Sequence, residues 1–255
     1  MARATALITG ASGGIGLELA KLCAAAGNDV VLVARRKSEL EDLAGSLARE
    51  HGVATRSLAA DLADPRAPHA IFDAVGAVDI LINNAGFGLV GAFAETDWNV
   101  EARMIQVNIT ALAHLTKLYL PGMIAQRRGR ILNVASTAAF VPGPFMAIYY
   151  ASKAMVFSFT LAIAAELEGT GVTATALCPG PTATNFSEVA RVSGSKLFKG
   201  AVMSAAEVAR EGFSAMMAGK PEVIAGSSNR WMVWGMRFAP RRMLAGIARR
   251  LNSPA

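Results

Sequence analysis

Tyr149 and Lys153 are the pair in this sequence whose types and spacing suggest chemistry. They stand four apart in a run, Ile131–Ala165, in which Lys153 is the sole charge. On a helix, residues i and i+4 share a face. A phenol and an ammonium would then lie side by side among apolar neighbours. A buried unpaired charge is costly, so the lysine needs a partner or a path to water. A cation beside a phenol favours the phenolate, so the pairing is expected to lower the Tyr149 pKa and make it a general acid/base near neutral pH. Ser136, 13 residues upstream, comes within reach if the chain leaves a strand, crosses Pro142-Gly143-Pro144 and enters a helix. Tyr150 lacks the four-residue spacing and points about 100° away round the helix.

The elements that must position these groups alternate along the chain. Short stretches at 4–9, 30–34, 53–59, 78–82, 130–135, 172–177 and 222–225 are strand candidates. Helical stretches fall between them. Gly27 is placed to end the first helix. Ser38, with Glu41 as the partner of a capping box, is expected to start the second. Asp64-Pro65 is expected to start the third, with proline at the first helical position. Asp97 would cap a helical region reaching about Gln126, interrupted near Asn108. Tyr149–Glu168 and Ser204–Ala218 complete the set. This alternation predicts a single-domain α/β fold: a Rossmann-like, doubly wound parallel sheet of about seven strands with helices on both faces.

Between the first strand and the first helix lies Gly10-Ala-Ser-Gly-Gly-Ile-Gly16. A glycine turn there lets backbone N–H groups approach a phosphate at a helix N-terminus. No Gly-Lys-Ser/Thr follows, so it is not the phosphate loop of nucleotide hydrolases. An enzyme preferring NAD places Asp or Glu after the second strand, for the ribose 2′-OH. Here Val33-Ala34 is followed by Arg35-Arg36. A guanidinium suits a 2′-phosphate, so the expected cofactor is NADP(H), with NAD(H) at lower affinity.

These motifs together resemble the classical short-chain dehydrogenase/reductase family over nearly the whole chain. Thr9–Gly16 (TGASGGIG) is similar to its cofactor loop, which brings in Gly10, Ser12, Gly13, Gly14, Ile15 and Gly16. Asn83–Gly86 (NNAG) matches its motif after the fourth strand. Asn108, Ser136, Tyr149 and Lys153 fall where its catalytic tetrad belongs. Pro179-Gly180-Pro-Thr182-Ala-Thr184 matches its cofactor clamp. The resemblance implies that Tyr149 gives a proton to a carbonyl oxygen during reduction. Lys153 would lower its pKa and hold the nicotinamide ribose, Ser136 would orient the carbonyl, and Asn108 would position a relaying water at a helix irregularity. Asp61 and Leu62 would meet the adenine end, while Asn83, Ala85 and Gly86 would form the cofactor floor. Thr182 and Thr184 would steady the nicotinamide end or the pyrophosphate. Many NADP-preferring relatives carry a basic residue where Gly13 stands, so here Arg35 and Arg36 would hold the 2′-phosphate.

The substrate end rests on other segments. Ala138–Met146, the chain after Gly91, and a lid at 185–200 supply Phe140, Pro142, Phe145, Met146, Phe186, Leu197 and Phe198. An apolar pocket with a few polar groups implies a hydrophobic ketone, aldehyde or secondary alcohol. Lys196 and Lys199 either meet an anionic tail or solvate a lid edge. Three readings follow: a carbonyl reductase, a 3-oxoacyl reductase of lipid metabolism, or a non-catalytic NADPH sensor. The intact tetrad argues against the sensor.

Composition bounds the rest. The 255 residues are 53% hydrophobic and 17% charged, which excludes a disordered chain. Cys23 and Cys178, and the histidines 51, 69 and 114, have no metal-ligand spacing. Two lone cysteines fit a reducing cytoplasm, and no secretory leader is visible. Residues 131–152 carry no charge, but Asn133, Ser136 and Pro142-Gly143-Pro144 break them as a membrane span. The formal charge of +6 comes from Ser227–Ala255, which holds six arginines and no acid. We therefore divide the chain into a catalytic domain, 1–226, and a basic aromatic extension, 227–255. The extension suits an anionic membrane surface (through 230–251), a subunit interface in a homodimer or homotetramer, or packing of Trp231, Trp234 and Phe238 on the lid. No nucleic-acid module accompanies it, so no nucleic-acid partner is expected.

Overall fold

The structure, a computed structural model, describes residues 3–184 and 202–253. Its chain order begins β1 (Thr5–Thr9), α1 (Gly14–Ala25), β2 (Asp29–Ala34), α2 (Lys37–His51), β3 (Thr55–Ala59), α3 (Ala67–Val75) and β4 (Ile80–Asn83). Next come α4 (Trp98–Ile105), a π-helical segment (Gln106–Ala111), α5 (Leu112–Ala125), β5 (Gly129–Val134), a 3-10 turn (Thr137–Phe140), α6 (Ala147–Glu166) and β6 (Val172–Cys178). The chain ends with β7 (Thr182–Ala183), β8 (Met203–Ser204), α7 (Ala205–Met217), β9 (Glu222–Ile224), α8 (Ser227–Met236) and α9 (Arg241–Asn252).

Seven strands form one parallel sheet in the order β3-β2-β1-β4-β5-β6-β9. The short strands β7 and β8 pair with each other separately. Alternation along each strand assigns the two faces. Ala6, Ile8, Val30, Leu32, Ile80, Ile82 and Leu132 pack with α1, α2 and α7. Leu7, Val31, Val33, Leu81 and Ile131 pack with α3, α5 and α6. Both faces of the central strands are covered, so β1, β2 and β4 read as continuous apolar runs, whereas the edge strand β3 does not. Each fully buried Leu or Ile here is worth ~1.5–3 kcal/mol, which holds the carboxyl ends of β1, β4, β5 and β6 in register for the site.

Two expected helix starts are corrected. The N-cap of α2 is Arg36, with no side-chain cap, so Ser38 lies inside the first turn and forms no capping box. The third helix begins at Ala67 rather than Pro65. Asp64 instead folds back on Arg66, accepting its backbone N–H at 2.9 Å, and the proline in the first turn is Pro68. Asp97 does cap α4, accepting from the Asn99 N–H at 2.9 Å. Ser204 and Glu207 close a capping box on α7. The interruption near Asn108 is the π-helical segment, a local widening that often marks a functional site. The helix Ala147–Glu166 is long and apolar enough to span a bilayer by length and composition. It packs on β6 and the 3-10 turn and carries Tyr149 and Lys153.

Candidate active site

The carboxyl ends of the strands open into a cleft of about 1200 Å³, beside the point where strand order reverses between β1 and β4. Gly10 (φ +66°) and Gly14 (φ +54°) take left-handed conformations that favour glycine. A Cβ on Gly16 would stand 2.3 Å from the Gly10 carbonyl oxygen, so α1 can approach β1 only with glycine there. Gly13 caps α1 without a side-chain hydrogen bond, leaving N–H groups of the first turn open to an anion. Asn84, which sequence reading did not single out, ties the loop to β4. Its Nδ2 donates to the Thr9 carbonyl at 3.0 Å and to the Gly10 carbonyl at 3.2 Å. Thr9 Oγ1 in turn accepts from the Asn84 and Ala85 N–H groups at 3.0 and 3.1 Å.

The two arginines after β2 have different jobs. Arg36 folds over the glycine loop: its Nη2 donates to Ser12 Oγ at 3.2 Å and pairs with Glu39 at 2.8 Å. It lies 3.6 Å from where a Cβ on Gly13 would be. A Cβ there would make ordinary contact with the Arg36 guanidinium. Arg35 lines the cleft, is exposed, and makes no hydrogen bond or ion pair among the described residues. Asp61 and Leu62 line the same end, where Asp61 Oδ2 accepts from Arg103 at 3.0 Å. Open N–H groups, a glycine cradle and an exposed guanidinium fit a dinucleotide bearing a 2′-phosphate.

At the other end, Tyr149, Ser136 and Lys153 converge. Ser136 leaves β5 in an extended conformation, and its Oγ accepts from the Ala138 N–H at 3.1 Å. It also hydrogen-bonds the Tyr149 side chain. Lys153 Nζ lies 5.9 Å from the Tyr149 ring centroid and donates to the Val134 carbonyl at 2.8 Å. The expected electrostatics need correcting. Burial pushes the Tyr149 phenol up, outweighing the lowering by the Ser136 hydrogen bond. Burial also brings the Lys153 ammonium down to about 8. The tyrosine is therefore held as a protonated acid. The lysine's charge is not unpartnered without cofactor, because a backbone carbonyl takes it.

Two predicted residues are buried outside the cleft wall, with structural partners. Asn108 makes an amide pair with the backbone of Phe87: Nδ2 donates to its carbonyl at 2.9 Å and Oδ1 accepts its N–H at 3.0 Å. Nδ2 also reaches Ser152 Oγ at 3.1 Å. Asn108 thereby pins the chain just beyond Gly86. Asn83, expected at the cofactor floor, is not among the residues that line the cleft. It is buried in the sheet, donating to Asn133 Oδ1 at 2.9 Å and Thr116 Oγ1 at 3.1 Å. Ala85 and Gly86 do line the cleft, with Pro179, Gly180, Thr182 and Thr184 facing them. Thr184 lies over the loop, with Cγ2 3.0 Å from a Cβ placed on Gly14. Thr182 Oγ1 donates to the Gly180 carbonyl at 2.9 Å.

On the substrate side, Ala138, Met146, Leu89 and Val90 line the cleft. Phe140 does not; it packs edge-on against Phe157 at 4.8 Å. Phe145, at φ +64°, uses its carbonyl to accept the Gly91 N–H at 2.9 Å, which joins the two substrate-side segments. Phe186, Lys196, Leu197, Phe198, Lys199 and the whole expected lid lie outside the described residues. Tyr150 has a structural job. Its ring fills the space beside Gly143, where a Cβ would come within 2.1 Å of it. Its hydroxyl donates to Asn252 Oδ1 at 3.3 Å, and Asn252 Nδ2 donates to the Pro144 carbonyl at 3.0 Å. This link from the end of α9 to the loop before Tyr149 joins residues more than a hundred positions apart, which no local spacing could reveal.

Known proteins share this arrangement. The family model of the short chain dehydrogenases matches residues 4–193. A solved short-chain dehydrogenase from Sphingobium yanoikuyae, in complex with NADPH, superposes with a TM-score of 0.83 at 33% identity, covering 92% of this chain and 93% of that one. A 7beta-hydroxysteroid dehydrogenase superposes with a TM-score of 0.88 at 28% identity, covering 96% of each chain. The very-long-chain 3-oxoacyl-CoA reductase of Anas platyrhynchos is 31% identical over 204 residues, 74% of this chain and 63% of that protein. The chain spans only 59–63% of the length of several curated relatives. Glycine loop, Asn-Asn-Ala-Gly turn, Ser-Tyr-Lys cluster and sheet order agree with the family match across three quarters of the sequence: the chain belongs to the short-chain dehydrogenase family.

Proposed function

We propose that the protein is an NADP(H)-dependent oxidoreductase that reduces a hydrophobic ketone or aldehyde to the alcohol, reversibly. The observation that carries this is one cleft with an exposed guanidinium, Arg35, at one end and Ser136 and Tyr149 joined by a hydrogen bond at the other. NADPH in the Sphingobium relative supports the choice of cofactor. Gly10, Ser12, Gly13, Gly14, Ile15, Arg35 and the Pro179–Thr184 clamp would hold it. Bound there, it supplies the hydride.

The chain's own residues supply the rest. Ser136 Oγ donates to the substrate carbonyl oxygen and fixes its direction. Negative charge develops on that oxygen, so donors already aimed at it lower the barrier. Tyr149 then gives its phenolic proton to the oxygen, and the alcohol is complete: two electrons and a proton arrive on carbon, one proton on oxygen. The phenolate left behind is stabilised by the Lys153 ammonium and is reprotonated from solvent. Asn108 keeps Phe87 and Gly86 in place beneath the reacting atoms. In the reverse direction Tyr149 is the base.

A second reading, reduction of a 3-oxoacyl chain, is supported by the similarity to the 3-oxoacyl-CoA reductase and by the apolar Leu89, Val90 and Met146 in the cleft. A homodimer or homotetramer fits α6, whose exposed Ala151, Ser158, Ala162 and Ala165 form one smooth stripe. The two buried free thiols, Cys23 and Cys178, fit a cytoplasmic setting. The domain division at residue 226 also stands as a proposal. NADPH oxidation against apolar ketones, β-ketoesters and acyl thioesters tests the reading. Turnover of ketones supports the first form and preference for thioesters the second. Tight NADPH binding with no turnover on any member would overturn both.

A further inference from the structure

We infer that the C-terminal arm, α8 and α9, is a docking surface for an anionic lipid membrane. The inference goes beyond the catalytic reading and does not depend on it. On α8, Trp231 and Trp234, with Phe238 just past its end, stand at i, i+3 and i+7 and so share one side. Their rings run edge to face, 5.9 Å and then 5.0 Å between centroids. They are 71%, 53% and 74% exposed, while Val233 is the residue of α8 that is buried. Three large rings in register on the outside need a partner; scattered single exposures would not. Arg230 and Arg237, seven apart, run along the flank of this aromatic stripe.

The second helix repeats the design. Leu244, Ala248 and Asn252 turn inward. Met243 and Ile247, one turn apart on this helix, remain about half exposed, at 52% and 49%. Arg241, Arg242, Arg249 and Arg250 surround them and are all exposed. Among the described residues, Arg230 is the one arginine of the arm's six that makes an ion pair, with Glu211 at 3.1 Å. The arm holds no acid.

Charge decides between occupants. A second copy meeting this surface through the same patch would set six arginines against six, with nothing in the arm to neutralise them. A nucleic acid would satisfy the arginines, but not Met243, Ile247 and a stripe of indoles packed on one another rather than open for base stacking. An anionic bilayer satisfies both. Indole and phenyl rings settle at the headgroup level, and arginines beside them meet lipid phosphates. The arm also adjoins the cleft. The Asn229 side chain lies 2.5 Å from a Cβ placed on Gly180 in the clamp, and Asn252 holds Pro144 beside the substrate segment. Docking through α8 and α9 would bring the cleft mouth close to a source of apolar substrate.

The test uses the full chain and vesicles of phosphatidylcholine with phosphatidylglycerol, against vesicles of phosphatidylcholine alone. We expect co-sedimentation with the mixed vesicles, weakened about tenfold or more by moderate salt or by omission of phosphatidylglycerol. Trp231→Ala/Trp234→Ala/Phe238→Ala should lose binding by a similar factor and lose the blue shift of tryptophan emission. Arg237→Glu/Arg242→Glu/Arg249→Glu should also lose binding, with oligomeric state and NADPH affinity unchanged in both variants. Absence of vesicle binding by the wild type, equal binding to neutral vesicles, or a fall in oligomeric size in either variant would each overturn the inference.

Discussion

Tyr149 and Lys153 show why spacing alone did not settle the electrostatics. The four-residue interval correctly placed both groups on one side of α6. It could not reveal that both would be so deeply buried, and burial acts on a phenol and an ammonium in opposite directions. The phenol is pushed up and the ammonium is brought down to about 8. The lysine has a consequence for stability. Its folded pKa lies below the ordinary 10.5, so the folded state binds fewer protons between about pH 8 and 10.5, and this group favours folding more as pH rises through that window. Below it, holding the charge in a buried site costs on the order of 3 kcal/mol, at about 1.4 kcal/mol per unit. We predict that the stability of Lys153→Met minus that of the wild type, measured by urea titration without cofactor, falls as pH goes from 7 to 10. A flat difference would mean that the lysine is not desolvated. Arg35, exposed at the cleft, gives a second prediction: Arg35→Asp weakens NADPH at least about tenfold while NADH changes little, read by fluorescence titration. Equal losses for the two cofactors would remove Arg35 as the 2′-phosphate ligand.

The elements that position these residues differ in how plainly the sequence declares them. The central strands were legible because both faces of the sheet are covered there, so β1, β2 and β4 are apolar runs bounded by polar or glycine positions. The capped start of α4 was legible because Asp97 acts locally, and the start of α7 at Ser204 was legible although its capping box was not read from the sequence. Ser38 and Pro65 misled for a related reason. A capping side chain is a necessary sign of some helix starts, yet Arg36 and Arg66 begin theirs with backbone alone. Links between distant elements left no local trace. The sheet-buried role of Asn83 depends on Asn133 and Thr116. The Tyr150–Asn252–Pro144 link depends on where α9 ends. That link predicts a specific defect. Asn252→Ala removes two hydrogen bonds and leaves Tyr150 Oη and the Pro144 carbonyl without them, which should cost about 1–3 kcal/mol of stability. It should also raise substrate KM several-fold through the loosened 142–146 loop, while NADPH affinity holds. An unchanged KM with only a lower Tm would reduce Asn252 to a packing residue.

At the scale of the whole molecule, the sheet brings chemistry from opposite ends of the sequence to one cleft. The glycine loop follows β1, the selector arginine follows β2, the floor follows β4, Ser136 follows β5 and the clamp follows β6. A ligand that spans them should tie the domain together. NADPH at a hundredfold excess over Kd should add about 2.7 kcal/mol to the unfolding free energy, seen as a rise in Tm that NADH at the same concentration does not match. Equal shifts would argue that the 2′-phosphate has no dedicated partner. The charge asymmetry also belongs to this scale, since the +6 of the chain resides in the arm and not in the catalytic body.

The central claim is that Tyr149, held protonated by burial and aimed by Ser136, is the proton donor, while its neighbour Tyr150 serves the loop. The direct measurement is kcat for NADPH oxidation with an apolar ketone by Tyr149→Phe and Tyr150→Phe, each with its NADPH affinity determined alongside. The account predicts that Tyr149→Phe binds NADPH normally and loses a factor of about 10²–10⁴ in kcat, the usual contribution of a general acid. Tyr150→Phe should stay within a few-fold of wild type. Retained turnover in Tyr149→Phe, with turnover lost in Tyr150→Phe, would contradict it.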